Sequence, residues 1–268
     1  MNILVTNDDG VSTPGLLALV QHMRNLGDVN VLAPDRNWSG GGHVKTLDRP
    51  LRVKEVVLAD GTPAYASDGA PSDCVALALL GFIPRRIDLV VSGINPVANV
   101  GHDVTYSGTV TAAMEAVIWN VPGIAFSLDS KENHLVSIDY QSAAIVAEII
   151  VDYVLNEGLP KGILLNVNVP SGPIKGIRTT RQGMRVYRDE LDQRYDPRGY
   201  PYYWIGGEAP SGLPEVGTDI GALEDGYVSL TPLQLDLTSY KTFEHINKWI
   251  GEYNFPIHEL EMSTQDPR

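Results

Sequence analysis

Up to Pro170, short apolar, β-branched runs alternate with segments of helical period, and no other feature restricts the fold so tightly. Residues 2–6 (NILVT) read as a buried strand. Residues 15–26 follow with apolar side chains at 16, 17, 19, 20, 23 and 26, a helical spacing. The pattern continues with a strand at 29–33, a compact helix at 73–80 capped by Ser72, and a core strand at 88–92 (DLVVS). A helix at 111–119, a strand at 123–127, an amphipathic helix at 140–155 and a strand at 163–169 complete the series. This rhythm predicts an α/β fold with a mostly parallel sheet and helices on both faces.

Two stretches leave the rhythm. Residues 51–58 and 64–67, separated by Asp60-Gly61, predict a hairpin added to the sheet. Beyond Pro170, five of the twelve tyrosines fall within 187–203, among many Gly and Pro. That stretch is too aromatic for a disordered tail and too irregular for another β–α unit. It predicts an extended β arm that returns at 227–230 and ends in a helix near 239–250. The expected division is a catalytic domain over 1–184 and a C-terminal β arm and helix over 185–268 used in oligomerisation, together one continuous unit.

Composition narrows the partners. With 20 Lys and Arg against 33 Asp and Glu, the net charge of −13 repels a phosphate backbone, so no nucleic-acid partner is expected. A small phosphorylated substrate stays compatible if a cation sits between it and the acids. Cys74 is the only cysteine, which leaves no intramolecular disulfide and no cysteine-based zinc site. The apolar run at 74–83 falls short of the ~20 residues that span a bilayer. Residues 1–10 carry Asp8 and Asp9 where a leader peptide would be apolar. The expectation is a cytoplasmic protein with no membrane partner.

Ligands of open parallel sheets bind at the carboxyl ends of the strands. Three polar loops meet that criterion: Asn7-Asp8-Asp9-Gly10 after the first strand, residues 35–42 (DRNWSGGG) after the second, and Ser92-Gly93-Ile94-Asn95 after the third. Parallel strands put them on one edge, where Asp8, Asp9, Ser39 and Asn95 converge. Adjacent carboxylates repel each other, and an all-oxygen set suits a hard cation such as Mg²⁺ or Mn²⁺. An ordinary turn accounts for the acidic pair equally well. Gly40-Gly41-Gly42 lets amides approach an anion, but a flexible loop has the same composition. Ser107, Gly108 and Thr109 precede the helix at 111, whose free amides, with their hydroxyls, suit phosphate; a plain cap explains them too. Asn99 shares the long loop 93–108. His43 and His102 lie in these loops as candidate acid or base groups.

Read together, ILVTNDDG, APDRNWSGGGH, VVSGIN, VTYSGTV, LLNVNVP, YYWIGG and GYVSLTPLQLDLT, in this order, resemble the SurE family of metal-dependent 5′-nucleotidases. The resemblance implies a Rossmann-like α/β domain with a C-terminal β extension used in homodimers or homotetramers. It implies one divalent cation per subunit, Mg²⁺ or Mn²⁺, on Asp8, Asp9, Ser39 and Asn95. It also implies hydrolysis of nucleoside monophosphates, with 3′-nucleotides and short polyphosphate as further substrates of some members. Gly42-His43-Val44 stands where the family commonly reads G-H-S, and Pro96-Val97-Ala98-Asn99 where it reads R-G-A-N. The expected mechanism is in-line attack of water on phosphorus, with Asp8 or Asp9 orienting the water. Gly40, Gly41, Asn95, Asn99, Ser107, Gly108 and Thr109 are expected to bind the substrate, and His43 to protonate the leaving ribose oxygen. The alternative is a non-catalytic nucleotide-binding regulatory module using the same crevice.

Overall fold

The computed structural model describes residues 1–130 and 138–252. Along the chain run β1 (Asn2–Thr6), α1 (Pro14–Met23), β2 (Asp28–Pro34), β3 (Val53–Val57), β4 (Pro63–Ser67), α2 (Pro71–Leu77), β5 (Leu89–Asn95), α3 (Gly108–Ile118) and β6 (Gly123–Asp129). They are followed by α4 (Gln141–Glu157), β7 (Ile163–Pro170), β8 (Ile177–Thr179), β9 (Arg185–Tyr195), β10 (Pro201–Gly212), α5 (Asp219–Glu224), β11 (Val228–Gln234) and α6 (Phe243–Glu252). One sheet has the order β3-β4-β2-β1-β5-β6-β7-β11-β8, and β9 and β10 form a separate ladder. The five central strands β2, β1, β5, β6 and β7 are mutually parallel. The predicted α/β sheet with helices on both faces is therefore the observed fold.

Alternation along the strands builds two cores. Ile3, Val5, Val91, Phe126 and Val167 pack with Leu16 and Leu19 of α1 and Ala147 and Val151 of α4. Leu4, Leu32 and Val90 face the other way, onto Cys74 and Val75 of α2 and Ala112 and Ala116 of α3. Parallel strands buried on both faces read as unbroken apolar runs, which is why the sequence pattern locates them. The predicted hairpin is present, with β3 and β4 antiparallel from Val53↔Ser67 to Val57↔Pro63. Among the described residues no helix is long and apolar enough to cross a membrane.

Several expectations change. Ser72 does not cap α2; the cap position is Ala70, whose amide donates to Asp73 Oδ2 at 3.0 Å, and the Ser72 hydroxyl donates instead to the Val44 carbonyl. Helix α1 stops at Met23 rather than 26. Helix α3 starts at Gly108, three residues before the expected 111, because Ser107 Oγ accepts from the Val110 amide at 3.1 Å. The return segment β11 is not part of the arm. It pairs antiparallel with β7 and parallel with β8 inside the main sheet.

The chain divides into two compact units, Met1–Gln234 and a second that begins at Leu235. The division expected at 184/185 falls within the first of these. There, Arg185 Nε meets Asp103 at 2.6 Å and the Tyr187 hydroxyl donates to Asp103 at 2.5 Å, tying the root of β9 to the loop after β5. In the second unit, α6 carries Phe243, Ile246, Trp249 and Ile250 at helical spacing, all exposed.

Candidate active site

Strand β1 lies between β2 and β5, with Thr6 in register with Ser92, so the three polar loops leave the same edge. The first loop is held by Asn7, which is fully buried. Its Nδ2 donates to the Gly10 carbonyl at 3.0 Å and to Thr13 Oγ1 at 2.8 Å, and its Oδ1 accepts from the Gly10 amide at 3.2 Å. This tight turn presents Asp8 and Asp9 above the sheet.

Asp8 meets the amino end of α3. Thr109 Oγ1 donates to Asp8 Oδ1 at 2.5 Å. Gly108 lies so close that a Cβ there would stand 2.6 Å from the Asp8 Cβ. A glycine is required for that approach, and the positive end of the helix dipole faces the carboxylate. Burial raises the Asp8 carboxyl, against the Thr109 hydroxyl and the local amides, which lower it. Burial and then the Asp8 charge push Asp9 up to about 7. Burial and the Asp9 charge push the neighbouring Tyr140 phenol up to about 12. Among the described residues no Lys, Arg or His figures among the causes of either shift. Two oxygen acids without a cation, beside neutral oxygen donors, are a donor set that fits a hard divalent ion. Among the described residues no group of three or more His, Cys, Asp or Glu offers a rival metal cluster.

The second loop is pinned to the first where the Trp38 amide donates to the Asp8 carbonyl at 2.8 Å. Ser39 follows on an exposed tip, its amide donating to Asn37 Oδ1 at 2.6 Å. Gly40 lies at φ +76° with open space where a Cβ would be, and Gly41 closes on the Trp38 carbonyl. From Gly42 onward the loop is fastened to α3 and α2. The Gly42 amide donates to the Tyr106 carbonyl at 3.0 Å, and the Gly42 carbonyl accepts from Thr111 Oγ1 at 3.1 Å.

His43 Nε2 lies 3.0 Å from Glu115 Oε2, and Lys45 Nζ lies 2.7 Å from Glu115 Oε1. Trp119 Nε1 also donates to Glu115 Oε1, at 2.8 Å. Glu115 is buried mid-helix. Burial pushes its carboxyl up, but the His43, Lys45 and Trp119 donors outweigh this and hold it at about 2. The ring nitrogen of His43 nearest α3 is thus engaged by Glu115, and Nδ1 is the other ring nitrogen. His102 sits in a short turn, Gly101–Thr105, away from any such partner among the bonds described.

The third loop begins later than expected, because β5 runs on to Asn95. Asn95 Nδ2 donates to the Val97 carbonyl at 2.5 Å, and its Oδ1 takes no part in that bond. Asn99, expected at the substrate, is held by a buried network. Its Nδ2 donates to Ser127 Oγ at 2.8 Å, its amide to Asn168 Oδ1 at 2.7 Å, and its carbonyl accepts from Asn166 and Asn168. It is a buried anchor of the loop. Sequence reasoning overlooked Asn166 and Asn168, although two asparagines at alternate positions of an apolar strand signal one polar sheet face. Glu115 gave no such signal, since a mid-helix glutamate ordinarily faces water.

The family model described as survival protein SurE matches residues 3–189. A protein named 5′-nucleotidase SurE from Chloroflexus aggregans is 51% identical over 256 residues, covering 94% of this chain and all of the relative. One of the same name from Herpetosiphon aurantiacus is 55% identical over 242 residues, covering 89% and 94%. The crystal structure of the Sure protein from Aquifex aeolicus superposes with a TM-score of 0.78 at 42% identity, covering 93% of this chain and all of that one. With the turn, the acidic pair and the helix start in place and the match running through both cores, this chain belongs to the SurE family.

Proposed function

We propose that this chain is a divalent-metal-dependent 5′-nucleotidase that hydrolyses nucleoside monophosphates to nucleoside and phosphate. The observation that carries the reading is the uncompensated Asp8–Asp9 pair against the amino end of α3. Asp8, Asp9, Ser39 and Asn95 would hold one Mg²⁺ or Mn²⁺. When bound, the cation supplies positive charge against the phosphoryl oxygens and lowers the pKa of water. Asp9, the more accessible acid, orients the attacking water and takes its proton. The water oxygen bonds to phosphorus as the bond to the ribose oxygen breaks, and His43 Nδ1 is the donor for that leaving oxygen. The amides and hydroxyls at Ser107, Gly108 and Thr109, with Gly40 and Gly41, stabilise the phosphoryl charge. Asn99 serves the same site by holding its loop. Nucleoside 3′-phosphates and short polyphosphate present the same terminal phosphoryl group, and we include them as substrates. A cytoplasmic location belongs to the same reading.

Phosphate release from AMP and GMP tests it. A chelator is expected to abolish release and added Mg²⁺ or Mn²⁺ to restore it. Full turnover in metal-stripped protein would overturn the metal role. Nucleotide binding without phosphate release under any metal would leave the regulatory-module reading in its place.

We propose further that β9 and β10 reach a second copy of the chain in a homodimer or homotetramer. Leu191, Tyr195, Trp204 and Ile205 are 69%, 64%, 61% and 85% exposed on the single chain, and among the described residues the ladder pairs with no other strand. Tyr and Trp in that density suit an interface, and a partner would cover both the apolar side chains and the strand edges.

A further inference from the structure

The carboxyl edge of the sheet carries a cavity that the hydrolytic chemistry does not use. It has a volume of 370 Å³ and lies where the loop after β5 meets α5 and the end of β10. Its floor is a small apolar cluster of Ala98, Val100, Ile220 and Leu223, separate from the two main cores. Val97, 52% exposed, stands at its lining. The walls are tied together by hydrogen bonds. Buried Asp219 accepts from the Gly101 amide at 2.8 Å and the Gly183 amide at 2.7 Å, locking α5 to the loop and to the root of the arm.

Three charged side chains, Asp129, Arg185 and Glu224, stand on the lining. Arg185 is already paired with Asp103 at 2.6 Å, whereas Glu224, the last residue of α5, is exposed. The location is equally specific. The loop that begins at Asn95 becomes the cavity's wall at Val97 and Ala98. Asp129, also on the lining, ends β6, and only β5 separates β6 from β1. Within the sheet β6 and β1 are thus two strand spacings, about 10 Å, apart. A distance of that order separates the phosphorus of a nucleotide from the far edge of a purine base.

We infer that this cavity is the nucleobase subsite and that Glu224 selects bases with a donor edge, guanine first. The inference takes its ligand from the nucleotidase reading above. Alkyl walls suit the apolar faces of a planar base. A carboxylate accepts the parallel N1–H and N2–H donors of guanine in a two-bond, charge-assisted contact. Adenine offers its amino group beside a repelling ring nitrogen, and uracil a single N–H between two repelling carbonyls.

Equilibrium dialysis of guanosine against the full chain, without metal, reads the subsite independently of turnover. Glu224→Gln and Val97→Trp, the second filling the mouth from an exposed position, are each expected to weaken guanosine on the order of 10-fold. Uridine is expected to bind more weakly than guanosine to the unaltered chain. In metal-loaded protein, the ratio of kcat/KM for GMP to that for base-free ribose 5-phosphate is expected to fall by a similar factor in both variants. Guanosine that does not bind, that binds both variants as well as the unaltered chain, or a ratio that does not move would overturn the inference. Guanosine binding that depends on Glu224, without phosphate release from any nucleotide, would sustain the subsite and sink the nucleotidase reading alone.

Discussion

Asp9 is the residue on which the site's energetics turn. Burial and its neighbour Asp8 raise its carboxyl from 3.8 to about 7. A raised folded pKa means that ionising Asp9 costs stability in the metal-free chain. The cost is absent below pH 3.8, grows as the pH rises toward 7, and is complete above it. Asp9→Asn is therefore expected to raise the melting temperature of metal-stripped protein at pH 8 and to give no such gain at pH 4. Phosphate release should fall on the order of 100-fold or more. A variant that melts lower at pH 8, or keeps turnover within a few-fold, would count against the ligand role. Asp8 and Asp9 were legible because an acidic pair ending the first core strand sits where such folds bind ligands. The roles of Asn99 and Glu115 were not, because their partners lie about 70 residues away in sequence.

Among the elements, the long strands and helices were legible from period alone, and the short ones were not. Strand β8 is three residues long and α5 six, too few for any period to show. The start of α3 was missed because Gly108, a poor helix former, opens it for the sake of Asp8. Helix α3 also holds the second loop through Glu115, whose carboxyl lies at about 2 rather than 4.5. A depressed folded pKa gives stability that is present above pH 4.5 and lost as the pH falls through 2. Glu115→Gln is expected to destabilise the chain at pH 7 on the order of 3 kcal/mol, since it leaves His43, Lys45 and Trp119 around a neutral amide. The gap between variant and parent should close as the pH drops from 4.5 toward 2. Denaturant melts at pH 7 and pH 3 measure both, and a gap independent of pH would remove the ionic latch.

For the whole molecule, the expectation most open to test is assembly. Light scattering is expected to find a dimer or tetramer. The double substitution Trp204→Ser with Ile205→Ser, at side chains exposed on the single chain, should shift it toward monomer with its helical circular dichroism intact. A fully active 29.2 kDa monomer from the unaltered chain would end the proposal. The Asp219 clamp adds a consequence in time. Its two amide partners lie 118 and 36 residues earlier in the chain, so during synthesis every proposed metal ligand is made long before the clamp exists. Sheet closure also waits, because β11 inserts between β7 and β8 only after the arm has been translated. A ribosome-bound chain halted before Asp219 thus carries Asp8 and Asp9, the proposed catalytic acids, without the wall that α5 adds, and that edge of the sheet is completed last.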